Sequence, residues 1–240
     1  SVAAQGNLPT TAVDAALSRA AVSGLVLTPR SRIRRDPDLV PGNNGIPEKF
    51  LSSPAFTLQW HITQACDQHC KHCYERTSRD QVTLDQAMRI LDDLRAFCKS
   101  RNVVGAISFT GGDPLLHPAF TEIYRAAAER GFTTAILGNP APRERIAELI
   151  SIRMPSFFQV SLEGLREHND TIRGTGHFDR IMAFLEILKG LKVYSMVMLT
   201  LTRENLDQVL PLAKVLRGKT DIFHFNRLSL VGEGANLRMP

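Results

Sequence analysis

The sequence predicts an α/β fold, a partial (β/α)6 TIM-like barrel of parallel strands with an N-terminal helical extension. From about residue 56 onward, short apolar runs alternate with stretches in which apolar residues recur at helical spacing. Some runs, such as residues 106–110 and 197–201, are almost continuously hydrophobic, which is typical of parallel strands buried on both faces. Strands and helices that alternate through right-handed crossovers form a parallel sheet that can curl into a barrel.

Six strands and five helices are predicted in this region. The strands are expected at residues 56–62, 103–110, 132–138, 156–162, 193–201 and 222–230. The helices are expected at residues 83–100, 118–130, 142–152, 177–190 and 204–217. A closed α/β barrel needs more strands than this. The sequence therefore favours an open six-stranded barrel, or a chain cut before its end.

Residues 1–55 are expected to be an appendage to a core domain at residues 56–240. Thr10 or Thr11 can cap a helix whose apolar face would pack on the core domain. Residues 29–54 are rich in Pro, Gly, Asn and Arg, which indicates a linker or an ordered arm over the domain surface.

Composition and charge limit the classes of partner that this chain is expected to bind. The chain has 240 residues, 43% hydrophobic and 22% charged, as in an ordinary globular protein, and a net charge of +5. One arginine cluster, at residues 30–35, is interpreted as a solvated linker first and as a contact for an acidic peptide or nucleotide second. No nucleic-acid motif accompanies the cluster and no apolar run is long enough to span a membrane, so we expect neither a nucleic-acid nor a membrane partner.

Three of the four cysteines, Cys66, Cys70 and Cys73, lie close together just after the first predicted strand. Such clustering indicates a metal site rather than a disulfide framework, and it suits a reducing compartment such as the cytoplasm. A closed zinc site needs four ligands, and His69 or His72 could supply the fourth. An iron–sulfur cube held by three cysteines would instead leave one iron open to another ligand.

The remaining cysteine and the histidines are given no catalytic role. Cys98 falls on the apolar face of the first helix of the core domain, so we interpret it as a small buried hydrophobic residue. The histidines outside the cysteine loop have no partners that the sequence reveals. No catalytic acid or base can be named from the sequence.

Glycines and polar residues follow most of the predicted strands. Because the carboxyl ends of parallel strands meet at one edge of a sheet, these residues are expected to share a site with the cysteine loop. Gly111 and Gly112 indicate either a tight turn or close approach of the backbone to a ligand. Ser161 and Glu163 could form the N-cap region of a following helix. The remaining such segments are Gly138–Pro140 and Asn226–Arg227.

Three motifs in this order resemble those of radical S-adenosylmethionine (SAM) enzymes. The first is the C-x3-C-x2-C loop at residues 66–73, which follows a Trp-x-Ile-Thr strand. The second is the glycine-rich segment at residues 109–118, in which Asp113 replaces the more frequent Glu. The third, at residues 159–179, resembles the fourth-strand region of the branch that often carries a C-terminal SPASM domain. We expect that domain to be absent or truncated in this chain.

The resemblance implies a cofactor set and a chemistry. Cys66, Cys70 and Cys73 would hold three irons of a [4Fe-4S] cluster, and the fourth iron would bind the amino and carboxylate groups of SAM. Reductive cleavage of SAM would give a 5′-deoxyadenosyl radical that abstracts a hydrogen atom from the substrate. An electron donor such as flavodoxin or ferredoxin is implied. The other implied SAM contacts are His72, Tyr74, Gly111, Gly112, Asp113, Ser161 and Arg173, with Asn139 as a further candidate.

Within the family, the first strand and residues 136–140 look most like peptide-modifying maturases of the thio- or selenooxazole-forming type. The Gly-Asn-Pro after the third strand departs from the commoner Thr-Asn-Gly, which leaves the role of Asn139 open. The implied partner is a ribosomal precursor peptide. Haem- and tetrapyrrole-modifying members share the Trp-x-Ile-Thr and Cys-x-His-Cys-Tyr features and are the alternative. A zinc-binding structural or interaction domain is the alternative from a different class.

Overall fold

The computed structural model describes residues 9–22, 31–35, 51–75 and 81–238. Six parallel strands form one sheet in the order β1-β2-β3-β4-β5-β6, with helices between them. This arrangement confirms the predicted α/β fold class. The strands are β1 (Ala55–Thr63), β2 (Val104–Gly111), β3 (Thr133–Leu137), β4 (Phe158–Ser161), β5 (Ser195–Leu201) and β6 (Ile222–Arg227).

Within the described ranges, seven helices accompany the strands, and short 3-10 turns follow β2, β5 and β6. The helices are α1 (Thr10–Val22), α2 (Leu84–Arg101), α3 (Phe120–Glu129), α4 (Arg143–Ile152), α5 (Arg166–Arg173), α6 (His177–Gly190) and α7 (Val209–Leu216). The turns span Pro114–Leu116, Arg203–Gln208 and Gly232–Asn236. In the described part of the chain, no helix is both long and apolar enough to span a membrane.

The predicted elements of the core domain agree with the observed ones to within two residues at each end, except in three places. Helix α5 was not predicted, because its sequence is almost entirely polar and carries no apolar stripe. Helix α7 begins at Val209 rather than residue 204, since a 3-10 turn precedes it. Strand β6 ends at Arg227 rather than residue 230.

The chain divides into two compact units, and the first contains the N-terminal region together with residues 83–107 and 122–133. Its described arm, residues 31–35, pairs with residues 51–53 through an isolated antiparallel bridge. Arg32 donates its backbone N–H to the carbonyl of Arg101 at 2.8 Å, which ties the arm to the end of α2. The Pro-Gly-Asn-Asn-Gly segment at 41–45 and Arg30 lie outside the described residues.

Cys98 is buried on α2 in this first unit, together with the apolar residues of the same helix face. A Cβ added to Gly105 would lie 3.1 Å from the Cys98 sulfur and 2.6 Å from the ring of Phe132. The thiol is therefore packed as a small apolar group, as the sequence predicted.

The second unit, residues 59–82, 108–121 and 134–240, carries β4, β5 and β6, the C-terminal parts of β1, β2 and β3, and every predicted site residue. Helix α6 packs on β4 and β5, and the rings of Phe158 and Phe184 meet edge to face at 5.1 Å. Residues alternate along β5 between fully buried and half-buried. Val197, Leu199 and Leu201 on the buried face pack in the core, together with Ser195. The opposite face is half-buried.

That opposite face has a defined row across three strands. In the parallel register, Ser161 of β4 lies beside Met198 of β5, and Met198 lies beside His224 of β6. Register partners in neighbouring strands project to the same side of a sheet. The row therefore places Ser161 and His224 on one face; Ser161 is the last residue of β4, whereas His224 lies within β6.

Candidate cofactor site

The cysteine loop begins where β1 ends and is held by the glycine turn after β2. Gly112 donates its N–H to the carbonyl of Thr63 at 2.9 Å, and Asp113 donates its N–H to the carbonyl of Ala65 at 2.7 Å. The Thr63 hydroxyl accepts the N–H of Ala65 at 3.1 Å. These bonds fix the chain just before Cys66.

Gly111 and Gly112 are required because the two backbones approach so closely. A Cβ on Gly111, whose φ is +136°, would lie 2.1 Å from the carbonyl oxygen of Thr63. A Cβ on Gly112 would lie 2.3 Å from the carbonyl oxygen of Ala65. Neither distance is compatible with a side chain. The space that the glycines leave is thus filled by the cysteine loop itself. The N–H groups of Gly112 and Asp113 are used in this contact, so the turn can present carbonyl oxygens to a ligand, and these suit an ammonium group.

The cysteine loop is also anchored further along. Lys71 donates its N–H to the carbonyl of Ile172 in α5 at 3.0 Å, and Cys73 donates its N–H to the carbonyl of Cys70 at 3.1 Å. Glu233, in the turn after β6, donates its N–H to the carbonyl of Cys73 at 2.8 Å. Three separate segments of the second unit therefore position the loop.

The thiols of the loop have polar neighbours. Asn139 directs its side-chain amide at the Cys66 sulfur at 3.5 Å, and Arg173 directs Nη1 at the Cys70 sulfur at 3.6 Å. Desolvation raises the pKa of both Cys66 and Cys70, while Asn139 and Arg173 respectively counteract part of this rise. Such thiols keep their protons until a metal displaces them. No disulfide is formed by the cysteines of the described residues.

Asp113 follows β2 and Asn139 follows β3, and the Asp113 carboxylate accepts a backbone hydrogen bond from Asn139. The buried Asp113 carboxylate accepts the N–H of Leu115 at 3.1 Å and caps the short turn that follows. Burial raises the pKa of Asp113 to about 6. The Asn139 amide also donates to Asp67 at 2.5 Å. Asn139 therefore faces the cysteine loop, which the sequence could not establish.

Glu163 is buried at the end of β4 and forms an ion pair with Arg173, the last residue of α5. Arg173 donates from Nε to Oε1 at 2.8 Å, and its Nη2 lies 2.6 Å from the same oxygen. His72 Nε2 lies 3.4 Å from this oxygen and 3.3 Å from Arg173 Nη2. Burial lowers the pKa of His72, and Arg173 lowers it further, against the opposing effect of Glu163. The imidazole is therefore neutral near pH 7.

The ion pair corrects one prediction about Glu163. Its side chain does not cap the following helix, whose N-cap is Leu165 with no side-chain hydrogen bond. Burial would raise the pKa of Glu163, but Arg173, His72 and the N–H of Thr200 outweigh burial and hold this pKa below its usual value. In the sequence, the feature that could have indicated the ion pair was the position of Glu163, just after a buried strand and ten residues before Arg173.

His72 and Tyr74 contact the turn after β6 through their backbones. A Cβ on Gly232, whose φ is +57°, would lie 2.5 Å from the Tyr74 carbonyl oxygen, and one on Gly234 would lie 3.4 Å from that of His72. The Tyr74 hydroxyl lies 3.0 Å from Nε2 of His61 on β1. The sequence did not reveal the His61–Tyr74 pair, because the two residues are distant in the chain.

Ser161 lies on the half-buried sheet face in the row with Met198 and His224. The Nε2 atom of His224 is buried and has no hydrogen-bond partner among the described residues. Nothing in the sequence indicated a role for His224, and its position in this row makes it a polar group that faces the same side as Ser161. Only the register of β5 and β6 could have revealed it.

The donor set fits a thiolate-bound cluster. Three thiols lie on one loop, and two of them face an N–H donor or a cation, which stabilises the negative charge of cluster sulfurs. Across the described residues, no three His, Cys, Asp or Glu side chains converge on a single-ion position. A cube takes one thiolate per iron, so its ligands need not converge on one metal atom.

A parallel α/β sheet with a three-cysteine loop after its first strand and a glycine turn after its second defines the class: an α/β-barrel domain built to hold a cysteine-bound cofactor. The family model of the radical SAM superfamily matches residues 60–216, more than half of the chain. The chain therefore belongs to the radical SAM superfamily, whose members use a [4Fe-4S] cluster and SAM.

The curated relatives include a maturase and a coproporphyrin synthase, which correspond to the two kinds of enzyme that the sequence suggested. The mycofactocin maturase MftC of Mycolicibacterium smegmatis is 29% identical over 197 residues, which cover 79% of this chain and 48% of the relative. The Fe-coproporphyrin III synthase of Methanosarcina barkeri is 26% identical over 199 residues, which cover 79% of this chain and 48% of the relative. The chain thus spans about half the length of these relatives.

Solved structures share the fold. SuiB of Streptococcus suis bound to its precursor peptide SuiA matches 75% of this chain and 40% of SuiB, with a TM-score of 0.60 and 21% identity. The same protein bound to SAM matches with a TM-score of 0.62 and 18% identity, over 77% of this chain and 43% of SuiB. At these sequence identities, the similarity to SuiB establishes a shared fold and no more.

Proposed function

We propose that this chain is the core of a radical SAM enzyme that modifies a ribosomal peptide. The observation that carries the proposal is the cysteine loop, clamped by the glycine turn after β2 and faced by Arg173 at Cys70. Cys66, Cys70 and Cys73 would each bind one iron. When bound, the cofactors supply a one-electron reductive cleavage of SAM and a radical that abstracts a hydrogen atom from the substrate.

The chain's own residues would bind and orient SAM. The carbonyl oxygens of Gly111, Gly112 and Asp113 would accept hydrogen bonds from its ammonium group, since the N–H groups of Gly112 and Asp113 are already used. Ser161 would contact its carboxylate or ribose from the half-buried sheet face.

Two further SAM contacts and a role for Asn139 stay proposals of the same kind. Arg173 keeps its role as a partner of the SAM carboxylate, although Glu163 holds part of its guanidinium. The backbone of His72 and Tyr74 would contact the adenine next to the turn after β6. Asn139 would act on the cysteine loop rather than on SAM directly, because its amide faces Cys66 and Asp67.

Anaerobic reconstitution with iron and sulfide tests the proposal. We expect about four irons per chain, a brown protein, and release of 5′-deoxyadenosine from SAM after reduction. Flavodoxin or ferredoxin is the proposed physiological reductant, in a reducing compartment such as the cytoplasm. A colourless protein that retains zinc, takes up no iron and leaves SAM intact would establish the zinc-domain alternative instead.

The peptide substrate is supported by likeness to relatives that are named as maturases, and the tetrapyrrole alternative by likeness to Fe-coproporphyrin III synthase. The neighbouring genes separate the two. A short cysteine-containing precursor encoded beside this chain would be expected to change mass when incubated with the reduced, SAM-loaded enzyme. Neighbouring tetrapyrrole genes and an unchanged peptide mass would contradict the peptide substrate.

A further inference from the structure

Glu163 is more extensively bonded than a residue that merely pairs with an arginine. Its backbone N–H donates to the side-chain oxygen of the buried Asn169 at 3.0 Å, and its carbonyl accepts from the side chain of Asn205 at 3.0 Å. Its second carboxylate oxygen, Oε2, accepts the N–H of Thr200 in β5 at 2.8 Å. Bonds from α5, β5 and the turn after β5 therefore immobilise this residue.

The carboxylate immobilises Arg173 in turn. Oε1 of Glu163 meets both Nε and Nη2 of the guanidinium, at 2.8 and 2.6 Å. Both side chains are nearly inaccessible to solvent, with exposures of 11% for Arg173 and 2% for Glu163. A buried charge pair costs desolvation energy and is weak evidence for a stabilising role. The position of the pair therefore calls for a functional reason.

The other side of the guanidinium provides that reason. Nη1 of Arg173 lies 3.6 Å from the Cys70 sulfur and 3.5 Å from Oε1 of Gln68, both on the cysteine loop. A pair that served packing alone would not require its cation to face a thiol. The fixed carboxylate behind Arg173 prevents the guanidinium from turning away from Cys70.

We propose that Glu163 is a positioning residue that holds the Arg173 guanidinium against the Cys70 sulfur and thereby sets the reduction potential of the cluster. This proposal rests on the proposed ligation of the cluster by the three cysteines. Hydrogen bonds and charges at cluster sulfurs tune the potential, because an added electron is stabilised by a nearby positive charge. Arg173 raises the potential, and Glu163 limits that rise with its negative charge.

Two single variants therefore shift the potential in opposite directions. Arg173→Gln removes the positive charge beside Cys70 and should lower the midpoint potential of the cluster. Glu163→Gln removes the compensating negative charge, but its amide oxygen can still accept from Arg173 and hold the guanidinium in place, so the potential should rise. The double variant removes both charges and should lie between the two single variants. A simple loss of structure would not produce shifts of opposite sign.

The measurement is a redox titration of the reconstituted holoprotein, followed by the electron paramagnetic resonance signal of the reduced cluster. Iron and sulfide per chain are determined in parallel. Asp179→Asn is the matched control, because Asp179 at the start of α6 forms an exposed ion pair with Arg166 of α5, the helix that also carries Arg173. It should leave the midpoint potential unchanged.

Arg173→Lys covers the case in which Glu163→Gln does not fold. Lysine keeps the positive charge and should give a midpoint potential closer to wild type than Arg173→Gln does. Unchanged potentials in all variants at full iron content, or equal shifts for the Lys and Gln variants, would overturn the positioning role and leave the proposed function intact. A wild-type chain that takes up no iron would overturn both.

Discussion

Cys70 and Cys98 show how differently the same residue type can be used within one chain. Cys70 lies on the cysteine loop and faces Arg173, whereas Cys98 is packed among apolar groups on α2. A thiol next to a cation is suited to ligate metal, and a thiol in an apolar setting is inert. The sequence separated the two by spacing alone, and the structure supplies the chemical reason.

Cys70→Ala is expected to abolish cluster binding, because one iron loses its thiolate. Cys98→Ala is expected to retain the cluster, with a cost in unfolding free energy of about 1 kcal/mol for the lost packing. Iron and sulfide analysis after anaerobic reconstitution measures both variants. Loss of iron from Cys98→Ala would show that this cysteine had been misassigned.

A substitution at Gly112 tests whether the close backbone contact of the glycine turn holds the cysteine loop in place. Gly112→Ala is expected to destabilise the chain by about 3 kcal/mol and to reduce cluster uptake, because the new Cβ meets the backbone carbonyl of Ala65. Urea unfolding and iron content measure the two effects. Gly190→Ala is the control, since its Cβ would approach only the flexible tip of Arg143 at 3.3 Å. Equal behaviour of the two variants would contradict the clamp.

At the scale of elements, α5 and its connection to α6 form a polar unit that periodicity could not predict. Asp170 accepts the N–H groups of Gly176 and Phe178 at 2.7 and 2.9 Å, which fixes the start of α6. Asn169, fully buried, bonds His177 at 3.1 Å. The helix is thus anchored by buried amide and carboxylate groups instead of an apolar stripe.

His177 in this connection should make stability depend on pH. Burial, followed by Arg173 and Arg180, lowers the pKa of His177 to about 4 from 6.5. The unfolded chain then binds the proton more readily, so the folded state loses stability as the pH falls from 6.5 to 4. The loss amounts to about 3 kcal/mol at most.

The measurement compares the unfolding free energies of the cluster-free wild type and His177→Gln across this pH range. The difference between the two proteins should shrink as the pH falls. Asp113, whose raised pKa acts in the opposite direction, is common to both and cancels in the difference. His69→Gln, at an exposed position, is the control. A constant difference would show that His177 is not the titrating group.

Strand β5 and the segment after it show why one predicted helix starts late. The side chain of Asn205 accepts the N–H of Thr202 and donates to the carbonyls of Thr200 and Glu163. These bonds hold residues 203–208 in a 3-10 turn. Apolar periodicity indicated a helix here, but the buried amide determines the local backbone.

For the whole molecule, cluster and SAM binding should be coupled. SAM at a hundred times its dissociation constant should stabilise the cluster-loaded chain by about 2.7 kcal/mol. This corresponds to a rise in the unfolding temperature of about 5–10 °C for a chain of this size. Because the fourth iron is the proposed binding point, the cluster-free protein and Cys70→Ala should show little or no rise. An equal rise in all three would place SAM away from the cluster.

The sequence by itself determined the α/β class, most element positions and the residues that carry the family resemblance. Strand and helix periodicity is a local property of the chain, and the cysteine spacing and glycine turn are contained in short segments. The family assignment followed from the order of three such segments and was confirmed by the match over residues 60–216.

Only the tertiary structure decided how these segments meet. Gly112 contacts the cysteine loop rather than open space, Asn139 faces Cys66, and Glu163 joins Arg173 to Cys70. Each of these contacts links residues from different strand–helix units. Their side chains were identifiable as polar residues at strand ends, but the pairing depends on register and on the path of α5. No local sequence pattern encodes a contact between residues 70 and 173. The polar environment of the thiols is therefore determined by the tertiary structure.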